Sequence, residues 1–229
     1  MRRSRTSAAR SAIARRAVPL VVLGAVALSP TCGSRPPAVT PVAASCPTRG
    51  PVVLASQADI RQVAPCTTLR GVWIRSGAAL DASVLRVQTI TGDLVIGPTV
   101  GTAEVAFGEL RTVEGAIRVS SNGLLQGLFL RNLERAARID IDGNVALTTI
   151  SLPRLAAIRG ALRVTDNTSL EAVDMPALHS IDQELVLTGA PQLTLLDAPE
   201  LQHAASVEIN APKLPADVTD RLRAIGKSP

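Results

Sequence analysis

Six short phrases decide the fold: DLVIG from residue 93, AIRVS from 116, RIDID from 138, ALRVT from 161, ELVLT from 184 and SVEIN from 206. Each contains two large apolar residues separated by one residue, as in a short strand that buries one side. The first apolar residues are Leu94, Ile117, Ile139, Leu162, Leu185 and Val207. They are spaced by 23, 22, 23, 23 and 22 residues, and Val72 and Ile74 begin the series one repeat earlier. A strand that returns at a fixed period predicts strands stacked in parallel.

The same period holds three further apolar columns. Two come from a second strand-like pair: Val105/Phe107, Leu128/Leu130, Ile150/Leu152, Val173/Met175 and Leu196/Ala198. The third is a lone leucine: Leu110, Leu133, Leu155, Leu178 and Leu201. The chain is 46% hydrophobic but only 1% aromatic, which suits thin aliphatic layers. We therefore predict an all-β, right-handed parallel β-solenoid with two strands per coil of about 22–23 residues and short capping helices.

A polar column follows the first strand of three coils. Asn122, Asn144 and Asn167 align at the same period. We interpret them as a ladder that bonds backbone groups of adjacent coils. Asn167-Thr168-Ser169 is also formally a glycosylation sequon, and the ladder is the favoured interpretation.

The N-terminal residues are predicted to form a targeting segment. Six arginines and no acidic residue lie in the first 31 positions, and Ala17 to Leu28 form a short apolar run, as in a secretory signal. Cys32 follows with Gly33 and Ser34, which resembles a bacterial lipoprotein signal for the outer membrane of a Gram-negative cell. The alternative is a periplasmic or secreted protein with an unpaired thiol. Residues 32–45 contain three prolines and few large apolar side chains, and predict an extended tether.

The positive charge belongs to this segment. The chain has 24 basic and 19 acidic residues, so removal of six arginines leaves 18 basic residues against 19 acidic ones. The remaining domain has no electrostatic reason to bind nucleic acid.

Two cysteines remain near the start of the domain. Cys46 and Cys66 flank a 19-residue segment, and export favours a disulfide between them. The alternative is a pair of buried free thiols. His179 and His203 are the only histidines, so we expect no metal site and no cofactor.

Several phrases resemble the receptor L-domain family. The first is Ser56-Gln57-Ala58-Asp59-Ile60, which looks like a capping helix, and the second is the run from Cys66 to Ile74. Three copies of apolar-x-Gly-x-apolar-x-apolar follow, at Ile90–Ile96, Val113–Val119 and Ile158–Val164. The resemblance implies a ligand-binding solenoid over 46–215. We expect residues 216–229 to form a capping helix and tail, with Asp217 or Thr219 as N-cap and Gly226 as its end.

A candidate binding strip follows from strand alternation, because the residue between the two core positions faces outward. The strip is Trp73, Val95, Arg118, Asp140, Arg163 and Val186, with Glu208 after it. It predicts either a solvated ladder of alternating charges or a recognition surface. On the second strand the outward residues are Ala106, Phe129, Ser151, Asp174 and Asp197.

These patterns favour a non-catalytic, lipid-anchored module of the cell envelope that binds a protein, peptide or glycan. A structural envelope or cell-contact protein without a discrete ligand is the alternative. We do not expect an enzyme. A polysaccharide-acting β-helix enzyme would need aromatic platforms, but the chain has no Tyr, one Trp and two Phe, and neither histidine is predicted on a strand.

Overall fold

The computed structural model describes residues 46–226. Those residues form a parallel β-solenoid of about seven turns, with coils of 22–23 residues and two helices. The strands are β1 (Val52–Leu54), β2 (Thr68–Leu69), β3 (Val72–Ile74), β4 (Thr89–Ile90), β5 (Leu94–Ile96), β6 (Glu104–Ala106), β7 (Thr112–Ser120), β8 (Gly127–Phe129), β9 (Arg135–Asp142), β10 (Thr149–Ser151), β11 (Ala157–Ile158), β12 (Leu162–Thr165), β13 (Ala172–Asp174), β14 (Ser180–Thr188), β15 (Leu195–Asp197) and β16 (His203–Ile209). The helices are α1 (Gln57–Val63) and α2 (Ala216–Ile225).

The strands stack into three faces. Face 1 consists of β1, β3, β5, β12 and the C-terminal parts of β7, β9, β14 and β16. Face 2 is a separate five-stranded sheet of β6, β8, β10, β13 and β15. Face 3 consists of β2, β4, β11 and the N-terminal parts of β7, β9, β14 and β16. All pairings are parallel, as the fixed period predicts.

The predicted apolar columns form the core. The paired residues of the first strand are buried in nearly every coil, and so are the second pair and the lone leucine. A further buried column that we did not predict precedes the strands of face 2: Leu125, Leu147, Leu170 and Leu193. Leu214, which is also buried, follows it in the last coil and precedes α2. Thin layers therefore continue from coil to coil, and they are aliphatic except at the buried Phe107.

The corner between face 3 and face 1 brings successive backbones very close together. A Cβ at Gly92 would lie 2.3 Å from the carbonyl oxygen of Arg70, and one at Gly160 would lie 2.7 Å from that of Ala137. A side chain does not fit at these separations, so the glycine of the repeated phrase is a packing requirement of the corner.

The N-terminal end is closed by α1 and a disulfide. Ser56 and Asp59 form a capping box: the Ser56 hydroxyl accepts from the Asp59 N–H, and the Asp59 carboxylate accepts from the Ser56 N–H. Ile60 and Val63 of this helix are buried against the first coil. Cys46 and Cys66 form the predicted disulfide.

The C-terminal end is closed by α2, which packs on β16. Leu222 is buried, and two arginines donate to carbonyl groups of the last coil. Arg223 donates to Ile209 at 2.8 Å, and Arg221 donates to Ala198 at 3.1 Å. The helix covers the edge strand and its arginines bond nearby carbonyls, which protects that end from pairing with another chain.

Three predictions about local structure need correction. Each coil has a third short strand on face 3, which we did not predict because two residues are too few to show alternation. This face places His203 at the start of β16, so the expectation that no histidine lies on a strand is wrong. Pro215 is the N-cap of α2, without a side-chain cap, so Asp217 and Thr219 lie inside the helix; Gly226 is its C-cap as predicted.

Candidate functional site

The predicted strip is continuous on face 1. Its residues occupy successive rungs in register: Val53, Trp73, Val95, Arg118, Asp140, Arg163, Val186 and Glu208. The six predicted members are half-buried or exposed, and the residues on either side of each one are buried. In the last coil, Val207 beside Glu208 is only half-buried. Rungs of a parallel sheet lie about 4.8 Å apart, so neighbouring members are within side-chain reach.

The charges of the strip do not pair along the column. Arg118, Asp140 and Arg163 each pair with a side chain at the corner that leads into face 1, so the prediction of ion pairs along the column is wrong. The ion pairs are Arg118 with Asp93 (2.6 Å), Arg138 with Asp140 (2.7 Å) and Arg163 with Glu184. Arg118 and Asp140 are in register, but their ion pairs are made with Asp93 and Arg138 instead of with each other. These pairs hold the charged groups in place although all of them remain accessible to water.

Asp93 is the most strongly held of these carboxylates. Partial burial opposes its ionisation, but hydrogen bonds from the Ala116 N–H and the Arg118 guanidinium outweigh that effect and lower the pKa of Asp93 below its usual value. Asp93 thereby joins two coils through both a backbone and a side-chain contact.

The N-terminal end of the strip is apolar. Val53, Trp73 and Val95 occupy three successive rungs, and Val53 is 49% exposed. The guanidinium of Arg75 lies 5.2 Å from the centre of the Trp73 ring, a distance typical of a cation–π contact. This apolar patch, Val53, Trp73 and Val95, adjoins the Arg118–Asp93 pair.

Face 2 carries a similar contact in a different setting. Arg131 lies 5.7 Å from the centre of the Phe129 ring. Phe129 stands between Ala106 and Ser151 in its column, so it has no large apolar neighbour there. Further along, Asp174 and Asp197 occupy adjacent rungs, and the Ser151 hydroxyl donates to Asp174 at 3.0 Å.

The asparagine column is structural. The Asn144 amide oxygen accepts from the N–H and side chain of Asn122 at 3.2 and 2.8 Å. Its amide nitrogen donates to the Val119 carbonyl at 2.9 Å and to the Asn167 side chain at 3.1 Å. Asn167 has no exposed surface, so the sequon is closed to glycosylation in the folded protein. The ladder prediction is confirmed.

The ladder is longer than its asparagines indicate. Thr99 donates to the Asn122 amide oxygen from both its N–H and its hydroxyl, at 3.0 and 2.8 Å. Ser76, one period earlier, is buried and donates to the Ala55 carbonyl at 3.0 Å. We did not predict these two members because the residue type changes, although the spacing of 23 residues from Ser76 to Thr99 to Asn122 would have identified them.

A concave site that we did not predict lies on face 3. It has a volume of about 430 Å³ and is lined by Thr112, Glu114, Arg135, Ala136, Ala157 and Arg159. We call it the face-3 hollow. Its residues carry no shared motif, since they come from three coils and only the register of β7, β9 and β11 brings them together.

Comparison of the chain with protein-family models, curated proteins and solved structures finds no match. The receptor L-domain resemblance therefore rests on the repeated phrases and the solenoid fold. Neither described helix has the length and apolarity of a membrane span. Within 46–226, no three His, Cys, Asp or Glu side chains cluster as metal ligands. Cys32 and the predicted signal and tether lie outside the described residues.

Proposed function

We propose that the protein is a non-catalytic binding module of the cell envelope that recognises a protein, peptide or glycan through face 1. The observation that supports this most directly is the strip itself, a row of outward side chains in register whose charges are held by ion pairs. Side chains that are already ordered lose little entropy when a partner binds, so such a surface favours recognition.

The apolar patch is the proposed anchor. Tryptophan and arginine are enriched where interfaces bind most strongly, and such anchors sit beside polar groups that form the rim. Val53, Trp73 and Val95 with the adjoining Arg118–Asp93 pair have this composition. An extended peptide or glycan running along the sheet would contact the patch first and the charged rungs next.

The experiment is to probe peptide and glycan arrays with the mature protein and with two variants. Trp73→Ala removes the anchor, whereas Phe129→Ala removes a matched aromatic on face 2 that also has an arginine over its ring. We expect Trp73→Ala to weaken the best probe by about tenfold or more and Phe129→Ala to leave it unchanged. Equal losses in both variants, or none in either, would contradict the proposal.

A structural envelope protein without a discrete ligand is the second candidate. The ion pairs of face 1 favour it, because the charges there already have partners within the chain. Under this alternative no probe binds, and the protein self-associates in sedimentation experiments. A polysaccharide-acting enzyme has less support: Asp174 and Asp197 are adjacent, but Phe129 is the only aromatic in their column.

The proposal includes export and a lipid anchor at Cys32 as the only contact with the membrane. The Cys46–Cys66 disulfide supports export, since such bonds persist in oxidising compartments. The intact mass of protein made in a Gram-negative host tests the anchor. We expect acyl chains on a wild-type protein that begins at Cys32 and none on Cys32→Ser. An acyl-free wild type would instead indicate a periplasmic or secreted protein.

We also infer that the solenoid belongs with the receptor L-domain family. In support, the three glycine phrases lie at the same corner of their coils, where close backbone approach excludes a side chain at Gly92, Gly115 and Gly160.

A further inference from the structure

The face-3 hollow results from a short coil between two longer ones. From face 3 to face 1, four positions separate Val113 from Ile117 and Ile158 from Leu162, but three separate Ala136 from Ile139. The pairing of β7 with β9 accordingly shifts by one residue between Val113 and Ala116. The longer coils bulge on each side of the short one, and such bulges redirect side chains.

Small residues form the floor of the hollow. Ala157 is half-buried and lies in the outward column with Thr112 and Arg135, whereas Ala136 is in register with the buried Val113 and Ile158 and packs its side chain into the core. No long side chain at either position fills the space over the short coil. The Arg159 N–H donates to the Ala136 carbonyl at 3.3 Å, which fixes the backbone beneath. The volume of about 430 Å³ lies in the range of small-molecule sites.

Three charged side chains stand at the rim: Glu114 on one bulged coil, Arg159 on the other, and Arg135 on the coil between them. All three are exposed, and none takes part in the four ion pairs within 46–226. The neighbouring pair, Arg111 with Glu134 at 3.0 Å, lies immediately before β7 and β9 and shows that adjacent charges beside this face form an ion pair.

The arrangement matches a ligand with two opposite charges. Guanidinium groups bind carboxylates with paired, charge-assisted hydrogen bonds. The Glu114 carboxylate suits an ammonium group, and the Thr112 hydroxyl adds a donor and acceptor. The Ala157 methyl group suits a short apolar side chain between the charged ends.

We propose that the face-3 hollow binds a small zwitterion of the amino-acid or short-peptide class. Arg135 and Arg159 hold its carboxylate, Glu114 holds its ammonium group, and Ala157 contacts its side chain. This site is separate from face 1. The proposal that it binds a zwitterion is therefore independent of the proposal that the strip recognises a partner.

The experiment titrates the mature protein with the dipeptide Ala-Ala. Binding is monitored through the NMR signals of the backbone amides and the arginine side chains. We expect saturable shifts at Ala136, Ala157 and the Nε–H groups of Arg135 and Arg159. Two analogues each lack one charge. The C-terminal amide of Ala-Ala lacks the carboxylate, and N-acetyl-Ala-Ala lacks the ammonium group. Each is expected to bind at least about tenfold more weakly.

The variants Arg159→Gln and Glu114→Gln are each expected to weaken Ala-Ala by about tenfold. Arg154→Gln is the matched control, since Arg154 is also exposed and outside the four ion pairs but does not line the hollow. Equal affinity in all variants would overturn the proposal. Acetate binding as tightly as Ala-Ala would also overturn it, because the site would then recognise an anion alone.

Discussion

The buried ladder and the exposed strip run along the same stack of coils with the same period, but they constrain the chain very differently. In the ladder Asn122 and Asn144 bond both neighbouring coils, Asn167 bonds the preceding one, and all three are buried. In the strip Arg118, Asp140 and Arg163 each pair with a nearby partner and stay in contact with solvent. Burial therefore decides how much a repeated polar position contributes to the free energy of unfolding. An unpaired polar group costs far more in the protein core than on the surface.

The largest effect is expected from Asn144→Ala. The substitution leaves the Asn122 N–H and the Val119 carbonyl without their side-chain partner inside the solenoid. Each orphaned group costs about 1–3 kcal/mol, so we expect a loss of about 3 kcal/mol or more in the free energy of unfolding. Urea denaturation measures it. A loss below about 1 kcal/mol would show that water replaces the amide and that the ladder is dispensable.

A gain is expected from Ala190→Asn, which extends the ladder by one coil. Ala190 is one period after Asn167 and is buried, but it supplies no oxygen to the Asn167 N–H as Asn167 does to Asn144. Gly189 already has the positive φ that Gly143 has before Asn144. We expect about 1 kcal/mol of stabilisation by urea denaturation. Ala190→Leu controls for size, and equal behaviour of both variants would contradict the hydrogen-bond explanation.

A smaller effect is expected from Arg118→Ala on the strip. Its ion pair with Asp93 is about half exposed, and such pairs contribute about 0.2–1 kcal/mol. The loss should shrink further at high salt, since mobile ions screen exposed charges. Denaturation at low and high salt measures both. A loss as large as that of Asn144→Ala would remove the distinction between the two columns.

The smallest effect is a pH dependence from Asp93. Its pKa is lower in the folded state than in the unfolded chain, so the folded state binds this proton less readily. The stabilisation is present above the unfolded pKa, about 3.9, and is lost as pH falls through the lower folded pKa. Asp93→Asn should flatten the stability profile below about pH 4. A profile identical to that of wild type would contradict the assignment to Asp93.

Most of the fold could be predicted because each core column repeats a residue class at a constant spacing. The capping helix at Ser56, the disulfide and the asparagine ladder follow from local chemistry in the same way. The candidate strip was also predictable, since strand alternation places Trp73 and Arg118 outward whatever their contacts. Its ion pairs were not, because Asp93 and Glu184 reach their partners from a corner whose path depends on coil length.

The sequence by itself determined the period, the identity of the buried columns and the side of each strand that faces water. These properties depend only on whether each residue is buried. Buried positions carry apolar residues, and those residues recur at a fixed spacing in the sequence. Only the tertiary structure decided which charges pair, and that Glu114, Arg135 and Arg159 surround a hollow. Those relations depend on side-chain directions across three coils, and a difference of one residue between Val113–Ile117 and Ala136–Ile139 changes them without changing the pattern.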